Sequence, residues 1–197
     1  MRRSTSLLAM PVRNFGAFAN HRNTEDNLEE TPFEFNSESY AAIEQLLTKY
    51  PDNYKSSAII PVLFIAQKQN NNFLTLSAMH KSAKVLEMTP MQVYEVAAFY
   101  TMFNRTRVGK YHLQVCGTTP CMLRGARDII QAVKDFNGIG MNETSEDGLF
   151  TLQEVECLGA CVNAPMIQVN NEYFYEDLTY DSMTQLMQDW KDGKEPQ

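Results

Sequence analysis

The sequence predicts an α+β fold in two parts: an N-terminal helical bundle over residues 37–108 and a small sheet-and-helix domain over residues 109–190. Three observations carry that expectation. Apolar side chains recur at spacings of three and four from Tyr40 to Phe103, the period of amphipathic helices. After Gly109 the period shortens to two over Tyr111–Val115, as in a strand. All four cysteines of the 197 residues then fall between positions 116 and 161, so their chemistry belongs to the second part. A chain of this length buries about 70% of its unfolded surface and needs no disulfide to hold a core.

Tyr40, Ile43, Leu46, Leu47 and Tyr50 form the first helical stripe, and Pro51 ends it. A second helix spans Ser57–Gln69, with Pro61 tolerated near its first turn. Thr75 caps a third, which sets Leu76, Met79, Ala83 and Leu86 on one face. The fourth starts with Thr89 as N-cap, Pro90 at the first helical position and Gln92 closing a capping box. Its packing stripe is Val93, Val96, Ala97, Tyr100 and Phe103.

In the second part Tyr111–Val115 is a strand that Cys116 ends. Gly117-Thr118-Thr119-Pro120 then turns the chain into a helix, with Thr119 as cap. That helix runs from Cys121 to Phe136 and points Ile129, Ile130 and Val133 inward. A polar loop over Asn137–Gly148 leads to strands at Phe150–Glu156, Met166–Val169 and Tyr173–Tyr175. A last helix over 180–190 carries Met183, Leu186, Met187 and Trp190, and 191–197 is a tail. Short strands in a β-α-β-β-α order are those of a thioredoxin-like domain, although order alone also fits other α+β sandwiches.

Charge divides the chain. Residues 1–24 hold Arg2, Arg3, Arg13 and Arg22 and no acid, so the remainder carries −11 against −7 overall. With Ser4, Thr5 and Ser6 and scattered Leu7, Leu8, Val12 and Phe15, this leader has the composition of an organellar transit peptide. It lacks the continuous apolar stretch of a secretory signal. Residues 25–36 are acidic and proline-punctuated, which suits an exposed arm. The acidic body excludes nucleic acid as the main partner, because phosphate binding needs a basic footprint. The longest apolar run, Ala58–Ala66, is half of a membrane span, so no direct membrane insertion is expected.

The cysteines form Cys116-x4-Cys121 and, after thirty-five intervening residues, Cys157-x3-Cys161. Two short-range pairs brought together across a fold are the sequence form of a four-thiolate metal site. Cys121 falls in the first turn of its helix, where N–H groups and the dipole favour a thiolate. Gly159 and Ala160 let the second loop wrap closely around a ligand. Spacing leaves two occupants open. Structural zinc tolerates both pairs, though its knuckles typically use shorter ones. A 2Fe–2S cluster suits wider loops and needs four thiolates. Neither pair has the C-x-x-C spacing of thiol–disulfide exchange. The segment Gly138-Ile139-Gly140 lacks the third glycine of a dinucleotide fingerprint. His21, His80 and His112 show no ligand spacing.

Three motifs resemble one family. They are Val93-Tyr94-Glu95-Val96-Ala97-Ala98-Phe99-Tyr100-Thr101-Met102-Phe103, Val115-Cys116-Gly117-Thr118-Thr119-Pro120-Cys121 and Glu156-Cys157-Leu158-Gly159-Ala160-Cys161-Val162-Asn163-Ala164-Pro165. Together, over residues 35–190, they are similar to the small 2Fe–2S (24-kDa type) subunits of respiratory complex I, the NADH:ubiquinone oxidoreductase. Ala98 stands where that family more often has Thr. The resemblance implies a helical bundle followed by a thioredoxin-like 2Fe–2S ferredoxin domain, with Cys116, Cys121, Cys157 and Cys161 ligating one cluster. It implies a redox subunit without a catalytic site of its own, exchanging single electrons with the flavin of a partner. FMN and NADH then belong to that flavoprotein subunit, which the bundle helps to dock, and other peripheral-arm subunits complete the assembly on the matrix side of the mitochondrial inner membrane. Related subunits serve NAD-linked hydrogenases, formate dehydrogenases and hydrogenosomal NADH dehydrogenases. A zinc-stabilised interaction module is the reading from another class.

A 2Fe–2S cluster with four thiolates is anionic and gains a further negative charge on reduction, so nearby donors favour the reduced state. Those expected are the N–H groups of Gly117, Thr118, Gly159 and Ala160 and the hydroxyls of Thr118 and Thr119. Arg124 and Arg127 stand within two turns of Cys121, either adding positive field or lining a solvated helix face. Ala164-Pro165, just before a strand, is placed where thioredoxin folds carry a cis bond.

Overall fold

A computed structural model describes residues 24–28 and 30–197. The leader therefore lies, but for Thr24, outside the described residues. The bundle consists of α1 (Ser37–Leu47), α2 (Ile59–Gln69), α3 (Leu76–Val85) and α4 (Pro90–Phe99). A 3₁₀ segment over Asp52–Ala58 enters α2, a feature that Pro51 alone did not announce. The expected caps are in place. Thr75 Oγ1 accepts the Ala78 N–H at 3.2 Å, and the Gln92 side chain accepts the Thr89 N–H at 3.0 Å.

Ile43, Val62, Leu63, Leu74, Leu86 and Val93 are nearly or fully buried at the centre of the bundle core. Two expectations fail at its rim. Tyr100 is exposed because α4 ends at Phe99 and the chain leaves the helix there. The segment 25–36 is not a free arm. Phe35 is buried in the bundle core, and the buried Asn27 accepts the Leu76 N–H at 3.0 Å through Oδ1.

The second part holds a four-stranded sheet of β1 (Tyr111–Cys116), β2 (Phe150–Val155), β3 (Ile167–Val169) and β4 (Tyr173–Tyr175) in the order β2-β1-β3-β4. β1 runs parallel to β2 and antiparallel to β3, which pairs antiparallel with β4. Tyr111, Leu113, Val115, Phe150, Leu152, Ile167 and Val169 share one face of the sheet. α6 (Ala126–Asn137) and α7 (Tyr180–Lys191) cover that face through Ile129, Val133, Met183, Met187 and Trp190.

The helix expected from Cys121 to Phe136 is in fact two. α5 (Thr119–Leu123) ends at Arg124, and Gly125 adopts φ 103° before α6 begins. Apolar periodicity continued across this break, but a left-handed backbone that glycine adopts freely stops the helix. Thr118, not Thr119, is the N-cap of α5. The tail is anchored: Pro196 is buried, Lys110 pairs with Glu195 at 3.0 Å, and the Gln197 N–H donates to Tyr175 Oη at 2.9 Å.

The two parts are joined by amides. Gln67 of α2 donates to the Met102 carbonyl at 3.1 Å, and Asn171 of the β3–β4 turn donates to the same carbonyl at 3.2 Å. Gln114 of β1 donates to Asn171 Oδ1 at 2.8 Å, so one network links the bundle to the strand that ends in Cys116. Among the described residues no helix is long and apolar enough to cross a membrane.

Candidate metal centre

β1 delivers Cys116 at its C-terminal end, and the turn through Gly117 and Thr118 sets Cys121 in α5 directly afterwards. Both are 1% exposed. They pack with Ala126, Ala164 and Met166 in a small apolar cluster that Leu158 and Ala160 border. The loop after β2 carries Cys157, which is exposed, to a 3₁₀ segment that starts at Cys161. Gly159, at φ 88°, gives that loop its left-handed bend.

The structure sets the four cysteines as two pairs, one on each loop. Cys116 and Cys121 are in side-chain contact, Cys157 Sγ and Cys161 Sγ are 3.5 Å apart, and Cys161 feels the charge of Cys116. Among the described residues, no three His, Cys, Asp or Glu side chains converge on the point that one ion would occupy. Two sulfur pairs, one from each loop, are the ligand pattern of a 2Fe–2S cluster, which takes four thiolates spread over two irons. The donor set is all sulfur, and the soft thiolate ligands match iron–sulfur chemistry.

Surroundings divide the pairs. Burial acts to raise the Cys116 thiol, but the Thr118 hydroxyl and the Thr118 backbone, then Cys121 and the Leu158 backbone, outweigh it and hold the thiol below its ordinary value. Thr118 Oγ1 is 3.1 Å from Cys116 Sγ. Cys121 goes the other way, pushed up to about 11 by burial and by Cys116. A backbone hydrogen bond from Met166 acts to lower it without reversing the shift. Cys161 is raised by its hydrogen bond with Cys157.

Of the expected donors, Thr118 is present, and Leu158 was missed because an apolar side chain gives no hint of where its N–H points. The Gly117 N–H is taken by the Val155 carbonyl at 3.0 Å and continues the sheet instead. Arg124 and Arg127 are both exposed, and Arg124 Nε reaches the Ala164 carbonyl at 3.5 Å. The Ala164-Pro165 bond is cis. Apolar side chains crowd the rim: Met122, Leu123 and Val162, beside Cys121 and Cys161, are 42%, 81% and 97% exposed.

Comparison with known proteins agrees with this geometry. The chain is 52% identical over 178 residues to NADH dehydrogenase [ubiquinone] flavoprotein 2, mitochondrial, of Dictyostelium discoideum, spanning 90% of this chain and 72% of that protein. It is 50% identical over 161 residues to a subunit of the NADH-quinone oxidoreductase of Rickettsia conorii, spanning 82% of this chain and 96% of that protein. Among solved structures, an NAD+-reducing [NiFe]-hydrogenase superposes with a TM-score of 0.56 at 17% identity, covering 66% of this chain and 23% of that one, which shows a shared fold. The profile of the thioredoxin-like [2Fe-2S] ferredoxins matches residues 43–191, and the chain belongs to that family.

Proposed function

We propose that this chain is the electron-carrying subunit of an NADH:ubiquinone oxidoreductase, that Cys116, Cys121, Cys157 and Cys161 hold its 2Fe–2S cluster, and that it exchanges single electrons with the flavin of an NADH-oxidising partner. One observation carries this reading. Two cysteine pairs, one from each loop, stand in a chain that aligns at 50–52% identity with subunits named for that oxidoreductase. When bound, the cluster supplies a one-electron couple.

This chain's own residues position and tune that couple. β1 and α5 keep Cys116 and Cys121 under apolar cover, which excludes water from their sulfurs. The 157–161 loop presents the second pair at the surface, where a partner's redox group can approach. Met122, Leu123 and Val162 offer apolar area for a partner around that opening. The flavoprotein subunit, its FMN and NADH, and the other peripheral-arm subunits are the partners this reading requires. The mitochondrial relative supports a place in the mitochondrion, and this reading sets the chain on the matrix side of the inner membrane.

Three measurements test the proposal. The purified full chain should be coloured, absorb broadly across the visible, and hold iron and sulfide in equal amounts; a colourless folded protein with one zinc overturns it. Cys121→Ala and Cys161→Ala should each lose the cluster, and a full 2Fe–2S EPR signal in either variant contradicts the ligand assignment. Affinity capture of the native assembly should bring a flavoprotein and membrane-embedded subunits, whereas capture of a hydrogenase or formate dehydrogenase assigns the chain to another machine.

A further inference from the structure

We infer that the Thr118 hydroxyl is a positioning group for electron transfer: its hydrogen bond to Cys116 Sγ, at 3.1 Å, raises the reduction potential of the site. This rests on the ligand assignment proposed above. The local structure argues that the contact is built for the sulfur. Thr118 is the N-cap of α5, where a threonine ordinarily gives its side-chain oxygen to a backbone N–H two or three residues on. It makes no such bond. Its hydroxyl turns back to Cys116 instead, leaving the helix start without its usual cap.

The direction of donation follows from chemistry. A thiolate bound to metal accepts hydrogen bonds and donates none, so the shared proton belongs to the hydroxyl. Cys116 is 1% exposed, and water therefore does not compete for its lone pairs. Among the described residues Thr118 supplies the one side-chain hydroxyl bonded to a cysteine sulfur, while the neighbouring Thr119 is exposed. An added electron makes the thiolate a stronger acceptor, so this bond stabilises the reduced state more than the oxidised one. Loss of the hydroxyl shifts the balance toward oxidised protein.

The test is an EPR-monitored redox titration of the full chain loaded with its cluster. Thr118→Val, equal in shape but without the hydroxyl, should keep its iron content and visible spectrum while its midpoint falls. The expected shift corresponds to about a tenfold change in the one-electron equilibrium, or ~59 mV. Thr118→Ser should restore the wild-type midpoint, and Thr119→Val should leave it in place. A loaded Thr118→Val with an unmoved midpoint overturns the inference. If Thr118→Val does not load, Thr118→Ala is titrated in its place. Failure of both to load, while Thr118→Ser loads, also overturns it, because the hydroxyl then serves assembly. Cys116→Ala, measured in parallel, separates the two claims. If it retains a full cluster, the ligand assignment fails; if it loses the cluster while the Thr118→Val midpoint stays fixed, the Thr118 inference alone fails.

Discussion

Asn171 makes two side-chain bonds between the parts, and its replacement by glycine tests whether the bundle and the cluster domain fold as one. Its Oδ1 accepts from Gln114 Nε2 at 2.8 Å, and its Nδ2 donates to the Met102 carbonyl at 3.2 Å. Asn171 sits at φ 58°, which glycine adopts without strain, so Asn171→Gly removes the amide and leaves the turn intact. The Met102 carbonyl keeps Gln67 as donor, and Gln114 Oε1 keeps the residue-171 N–H at 3.2 Å.

What is orphaned is Gln114 Nε2, on a side chain 4% exposed. An unsatisfied buried donor costs about 1–3 kcal/mol, and the second lost bond adds about 1. Asn171 is itself half-exposed, so water recovers part of this, and about 2 kcal/mol is expected to remain. For a chain of this size that is a fall in Tm of roughly 4–8 °C. The assay is thermal unfolding by circular dichroism, with Asn71→Gly as control. Asn71 has the same left-handed backbone, at φ 53°, but is exposed and has no side-chain hydrogen bond among the described residues. A loss for Asn171→Gly equal to that of Asn71→Gly would refute the network as a source of coupling.

The remaining expectations concern the cluster domain itself. Gly125→Ala places a Cβ at φ 103° and 3.2 Å from an Asp128 carboxylate oxygen, so chemical denaturation should show a loss of about 1–2 kcal/mol. Trp190, 3% exposed, stacks on Tyr111 and meets Tyr175 edge-on, and Trp190→Ala should cost about 3–5 kcal/mol in the same assay. Burial holds the His112 imidazole down at about 4, against an ordinary 6.5, and its Nδ1 has no partner among the described residues. The unfolded chain therefore takes up this proton before the folded one does. Its contribution is full above pH 6.5 and is lost as the pH falls from 6.5 to 4, by up to about 3 kcal/mol. His112→Gln should flatten that slope; an unchanged acid limb would exclude His112 as its cause.

The parts of the fold that were legible in the sequence are those set by local chemistry. Thr75, and Thr89 with Pro90 and Gln92, marked helix starts because a cap is a contact within four residues. The expected strand over Tyr173–Tyr175 matches β4 at both ends. What escaped depends on contacts distant in sequence or on a single backbone angle. Asn27 reaching Leu76 and Phe35 entering the bundle core gave no local sign beneath an acidic composition. Gly125 was visible as a residue, but the apolar rhythm through Ile129 and Val133 spoke for an unbroken helix.

The cysteines show the same division with more consequence. Spacing gave the two pairs and left zinc and iron open, because spacing reports reach along the chain and not surroundings. The fold then places one pair under apolar cover between β1 and α5 and the other on a surface loop. That difference arises from topology. A strand buried at all six positions must deliver its last side chain into the interior, so Cys116 is shielded whatever follows it. Cys157 comes after β2 has left the sheet at Val155, on a loop whose Leu158 and Ala160 border the Cys116 cluster. Electrostatic tuning by single protein dipoles is strongest where water is absent. If the four cysteines are the ligands, as proposed, the side chain best placed to set the potential is the one that touches Cys116, and the exposed pair offers the route for electrons.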